Sequence, residues 1–394
     1  MTDETPPQDE PPKKPAGSQI ADLAGAVQID TAKRLPHLDN GPVKAYYAYS
    51  EKRRDLGSMV AYACEPNLVP RHRKTIQYEA VINPNQATLI KHGIVFWPNV
   101  GRELYTYVYL DNLGAPYIPA GQKQALHLKE ELVREKVIAP LVNLLHDYRD
   151  KDFVHGSIRP SNIFNGGSSS YDRVILGDCL SAPASYTQPA AYETIERGMT
   201  DAIARGPGTP SDDIYSLGAT VAALVRSQDP TTGLSEEDIV RMKMQNGSFT
   251  ALTGRDRFAG TILDFLRGTM HDDPDQRWSL EEIMAWLDGR RLNPKKTGKK
   301  YKANRPLTFD DVQYFYTSDL AFDIEKNPTE LRKIVEDGEL ENWLTRSFEK
   351  NKTSQRVEEA LAMTRDGSQG KGLEDRLVCN LSCAMDIDAP LRYL

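Results

Sequence analysis

The fold class this sequence predicts is α+β, and three observations carry the prediction. Short segments rich in β-branched and aromatic residues, broken by turn residues, fill the stretch from about residue 30 to 112. From about 120 to 290 the pattern turns helical, with longer apolar-periodic runs. A Lys-rich break at 293–306, NPKKTGKKYKANRP, then sets off a further helical region. At 394 residues the chain is long for one core and suits two or three folded units.

Residues 1–18 are Pro-rich and nearly without apolar side chains. They cannot bury enough surface to offset the entropy of ordering, which predicts a disordered tail. Within 19–112, strands are expected at Ala45–Ser50, Met59–Cys64, Gly93–Pro98 and Glu103–Leu110, with a helix near Arg71–Val81. Within 113–292, Lys123–Arg149 reads as one long amphipathic helix. Ile214–Val225 reads as a buried core helix, too short an apolar run for a bilayer. Ser279 followed by Glu282 is a capping box opening the helix through Trp286. Residues 293–306 read as a solvated basic linker, and 307–394 as a small all-α domain. There FDDVQYFYTSDLAF has helical spacing, and Tyr314, Phe315, Trp343 and Phe348 read as core. Asn327-Pro328 is a cap with Pro in the first turn, and Gly338 a stop. The chain ends at DAPLRYL without a polar tail, as a fragment of a longer protein would.

A net charge of −7 argues against bulk nucleic-acid binding, which needs a basic field. The four cysteines, Cys64, Cys179, Cys379 and Cys383, form no CxxC pair, so neither a disulfide framework nor a zinc ribbon is expected. Cys379 and Cys383 read as small residues on a buried helix face. No apolar run reaches the ~18 residues of a membrane span, and the N-terminus lacks the apolar centre of a signal peptide. A cytoplasmic protein follows as the expectation.

Specific motifs begin at Phe153. The stretch FVHGSIRPSNIF resembles the catalytic loop of protein kinases, and VILGDC, ending near Asp178, resembles the strand leading into their D-F-G. YETIE at Tyr192–Glu196 resembles the end of the activation segment. SDDIYSLG at Ser211–Gly218 resembles the start of the buried helix after it, and DDPDQRWSLEEI at Asp272–Ile283 the closing Arg signature. These motifs occur in family order. The resemblance, to a degenerate bacterial-type member of the protein-kinase-like superfamily, covers roughly residues 35–290. It implies a bilobal fold, a small β-rich N-lobe over a larger helical C-lobe. It also implies structural roles: Asp213 accepting backbone N–H bonds beneath the loop, His155 packed under it, and Glu196 paired with Arg277.

The catalytic positions depart from the family. Ser157 stands at the catalytic Asp, and a neutral hydroxyl cannot act as that base, a loss of about 10²- to 10⁴-fold. Gly156 replaces the preceding Arg, and Arg159 replaces a Lys. Gly41 alone remains of the three glycines that would cradle phosphate. Ala63, in VAYA, takes the strand Lys position, with Glu79 on the following helix. Lys44, Lys52 or Arg73 are alternative phosphate contacts. Asn162 and Asp178 match the metal-binding pair, and read either as Mg²⁺ ligands or as structural hydrogen-bonders. Gly41, Arg159, Asn162 and Asp178 are thus the candidate ATP and Mg²⁺ residues, and no catalytic residue is expected. The resemblance implies a pseudokinase that binds protein partners as a scaffold or regulatory module. The rivals are an atypical kinase or nucleotidyl transferase using Mg-ATP, and an ATP-sensing switch without chemistry. Oligomeric state is left open.

Overall fold

Period-two alternation builds the N-terminal part. Strands β1 (Ile20–Leu23), β2 (Val27–Arg34), β3 (Ala45–Tyr49), β4 (Met59–Ala63), β5 (Leu89–Trp97) and β6 (Arg102–Leu110) form one antiparallel sheet in the order β1-β2-β3-β4-β6-β5. This is a computed structural model, and it describes residues 19–122, 126–295, 302–347, 352–366 and 372–393. The expected disordered tail, the centre of the basic linker and Phe348 lie outside the described residues. β1 also lies against β5, so the sheet curls toward closure.

Each sheet face has its own partners. On β4, Met59 and Ala61 join Ile29, Trp97 and Val108 on the far face. Val60 and Tyr62 point the other way, with Tyr107 and Tyr109, into a core shared with the helices. β1 and β2 precede the strands expected from sequence. Their hairpin turns at Ala24 and Gly25, both at positive φ, a turn that Ala does not advertise.

After the sheet's first helix α1 (Thr75–Glu79), the chain is α2 (Glu130–Val133), a π turn at Arg134–Ile138, α3 (Ala139–Arg149), and the short ladder β7 (Ile163–Phe164) with β8 (Ile175–Leu176). Then follow α4 (Ile195–Met199), α5 (Pro210–Val225), α6 (Glu236–Asn246), α7 (Ser248–Thr253), α8 (Gly260–Thr269) and α9 (Leu280–Leu287). The described helix of 123–149 starts only at Glu130. Before it, the Leu128 N–H bonds Leu224 O and His127 Nδ1 lies 2.9 Å from Val225 O, which holds the segment against the end of α5, with His127 at φ +44°. The π turn precedes Pro140, which has no N–H to give the helix. Near residue 71 the expected helix shrinks to a 3₁₀ turn, His72–Lys74, and α1. Helix α5 is buried from Asp213 through Val225, and the Thr209/Asp212 capping box and Pro210 fix its start.

The C-terminal region has a separate core around Leu320, Leu331, Trp343 and Leu381. It comprises α10 (Thr317–Asp323), α11 (Pro328–Glu336), α12 (Glu339–Ser347), α13 (Lys352–Asp366) and α14 (Leu373–Met385). It is not all-α: β9 (Leu307–Phe309) and β10 (Val312–Tyr314) form a hairpin where helix was expected. Asp310 and Asp311 at its tip both have positive φ, which matches a two-residue hairpin turn and stops a helix. Asn327 caps α11 by accepting the Glu330 N–H, Gly338 has φ +72°, and Tyr314 and Trp343 are buried as expected. Cys379 and Cys383 are exposed instead, because α14 turns Leu377, Leu381 and Met385 inward. The region is tied to α6 by both Arg241 Nη groups on Asp323 (2.8 and 3.1 Å) and by Gln245 Nε2 donating to Asp319 (2.5 Å). No helix among the described residues is long and apolar enough to cross a membrane.

Candidate functional site

The loop from Phe153 to Asn162 is pinned from below. Asp213, in the first turn of α5, accepts the backbone N–H of His155 on Oδ2 (2.7 Å) and of Gly156 on Oδ1 (2.8 Å). Burial outweighs these two bonds and raises the Asp213 carboxyl to about 7. His155 is fully buried, with Nε2 3.2 Å from Gly177 O, a contact that requires the Nε2–H tautomer. Burial first, and the Arg71 charge second, lower its imidazole to about 3, so it stays neutral.

Arg71 clamps the same loop from the sheet side. Its Nη groups donate to the carbonyls of Val154 (2.6 Å), His155 (2.8 Å) and Cys179 (3.3 Å), and its guanidinium lies over the Phe153 ring. Sequence reasoning assigned Arg71 only to a helix start. Nothing local marks a residue whose partners lie more than eighty positions away.

Four of the predicted site residues meet: Ser157, Arg159, Asn162 and Asp178. Ser157 Oγ accepts from Arg159 Nη1 (2.6 Å) and Asn162 Nδ2 (3.2 Å) and shares a bond with Thr187 Oγ1 (3.1 Å). Arg159 also donates to Ser161 Oγ and to Asn40 Oδ1 (3.0 and 2.5 Å). Its buried guanidinium has no carboxylate within ion-pair distance among the described residues, and burial lowers it to about 10. It therefore remains charged at neutral pH.

Asp178 is saturated. Oδ1 accepts Tyr109 Oη (2.7 Å) and the N–H groups of Leu180 (3.1 Å) and Ser181 (3.2 Å). Oδ2 accepts Asn40 Nδ2 (2.8 Å) and Ser181 Oγ. Asn40, 2% exposed, bridges the buried cation and the buried anion with one amide. The turn that carries it closes through paired Asn40–Val43 backbone bonds. Gly41, at φ +61°, lets that turn lie against Thr187, where a Cβ would come within 3.3 Å of Thr187 Cβ. Asn-Gly is a turn-forming pair, but nothing local to it marks a contact 138 residues away.

These residues do not fit Mg-ATP as arranged. Asn162 turns Nδ2 toward Ser157 O and Asp178 O, and Asp178 has a donor on every side. No group of three or more His, Cys, Asp or Glu among the described residues could hold a metal ion.

Ala63 and Glu79 are not brought to this site. Ala63 packs on the far face of the sheet, while Tyr62 takes the inward position and donates to Leu38 O (2.8 Å). A one-residue offset on a strand exchanges the faces, so spacing alone picked the wrong neighbour. Glu79 is exposed, 3.9 Å from His92, and Tyr78 is the inward residue of α1. Lys44 lies by Asp39, and Lys52 and Arg73 are exposed.

The expected Glu196–Arg277 pair is absent among the described ion pairs. Arg277 spends its donors on the carbonyls of His271 and Ser211 (both 3.0 Å) and on Ser211 Oγ. Thr194 caps α4, which leaves Glu196 half-exposed in its first turn. The buried acid of this segment is Glu193, 2.9 Å from Arg197 and 3.9 Å from Arg205, with its carboxyl raised by burial. Beneath it the buried Lys243 donates to Ala190 O and Glu193 O, and burial lowers its amine to about 7.

No protein-family model matches this chain, and no curated protein matches it.

Proposed function

We propose that the chain is a pseudokinase: a bilobal protein-kinase-like fold whose stripped catalytic set leaves it a protein-binding scaffold or regulatory module. Support for the family comes from the motif order and from the Asp213 bonds to the His155–Gly156 backbone, a role the resemblance assigns to that Asp. The observation that carries the functional reading is the Asn40 bridge. The metal-type carboxylate of Asp178 and the cation of Arg159 are both consumed by the protein itself. Tyr62 and Tyr109 fill the inner sheet face where phosphate chemistry would need an amine, and Ser157 cannot serve as a base. A cytoplasmic setting and protein partners, without nucleic acid, belong to the same reading.

The test is thermal unfolding with and without millimolar Mg-ATP, together with transfer of labelled phosphate or nucleotide. No shift and no label are expected. A ligand at a hundredfold excess over Kd would stabilise by about 2.7 kcal/mol, well within reach of the assay. A shift that Asp178→Ala abolishes, with incorporated label, would overturn the reading.

A further inference from the structure

A groove of about 520 Å³ lies between the loop entering α1 and the segments at 183–184 and 203–207. One wall carries three cationic side chains, Arg71, Arg73 and Lys74, with His72 between them. No Asp or Glu is among the described residues lining it. Among the described residues, Arg73 carries the charge that the protein leaves free, and Arg71 faces the Asp213 carboxyl as well as carbonyls. Arg71 is bonded to carbonyls alone, Lys74 meets the fully exposed Asp152, and Arg73 makes no hydrogen bond or ion pair among the described residues. Val69 and Ile203, 68% and 56% exposed, add aliphatic surface to the groove.

We infer that this groove binds an extended acidic peptide segment of a partner protein, its carboxylates on Arg73 and Lys74 and its aliphatic side chains against Val69 and Ile203. The inference rests on the scaffold reading in taking a protein as the occupant. Charge complementarity selects the class: a compact cationic wall in a chain of net charge −7 attracts a short acidic segment locally. A long nucleic acid would meet the repulsion of the whole surface. The lining has no Phe, Tyr or Trp on which a base could stack.

The experiment titrates the full chain into a fluorescein-labelled peptide of repeated Glu-Glu-Leu at low salt and follows anisotropy. Saturable binding is expected, weakened roughly tenfold by Arg73→Glu and by Ile203→Asp. Both side chains are exposed, so unchanged melting temperatures will show that neither variant acts through the fold. No binding, binding indifferent to both substitutions, or tighter binding of an oligothymidine of equal charge would overturn the inference. The Mg-ATP assay does not involve this groove. A nucleotide-binding result would sink the pseudokinase reading without touching the peptide titration, and the converse also holds.

Discussion

Replacing Asn40 by Ala tests the central contact most directly. The amide makes three buried bonds: Nδ2 to Asp178 O (3.0 Å) and to Asp178 Oδ2 (2.8 Å), and Oδ1 to Arg159 Nη2 (2.5 Å). Two of these involve ionised partners, at about 1.5–3 kcal/mol each, and the third is worth about 1 kcal/mol. Water entering the vacated space would restore part of the sum, which leaves a loss of about 3 kcal/mol. For a domain of this size that is about 6–12 °C in melting temperature. Scanning fluorimetry at pH 7 measures it. A loss under about 2 °C would refute the view that the amide holds cation and anion together.

Three further outcomes are expected. His155 is buried neutral, lowered to about 3, so its contribution is complete above about 6.5 and is lost as the pH falls below that, at about 1.4 kcal/mol per unit. Asp213, raised to about 7, opposes it, because its contribution is present at low pH and fades between about 4 and 7. In urea melts from pH 6.5 to 4.5, His155→Asn should therefore lose less stability than wild type. Parallel curves would disprove the assignment. Arg241→Ala should cost about 1 kcal/mol, with a smaller deficit in 1 M salt, because its Asp323 partner is buried and bound at both oxygens. A salt-independent deficit would mean that lost packing, not charge, is responsible. Asp311→Val places a β-branched residue at φ +63° and should cost about 1–2 kcal/mol. Neutrality in thermal melts would contradict the hairpin turn.

The sequence carried the large divisions well, because they follow from periodicity. Strand-rich then helical order, the strands at 45–49, 59–63 and 102–110, the α5 and α9 helices and the cap at Asn327 all emerge from local pattern. What it misread depends on contacts that local pattern does not encode. Leu126 to Lys129 have helical spacing, yet His127, at φ +44°, and Leu128 are drawn onto the end of α5. Asp310 and Asp311 turn the chain at positive φ, while the aromatic spacing that read as helical suits either period over so short a run. At the candidate site, Ser157, Arg159, Asn162 and Asp178 were identified and do converge. Asn40, Arg71, Tyr62 and Glu193 were not, since their significance lies in long-range geometry or in the choice of strand face.

The bridge from Asn40 also bears on how this chain would behave in a changing cell. The N-terminal sheet and the helical region after it are stitched by an amide, an arginine clamp and a tyrosine hydroxyl, all supplied by the chain itself. Under the scaffold role proposed above, a docking partner would meet a fixed outline, and timing would have to come from the visitor.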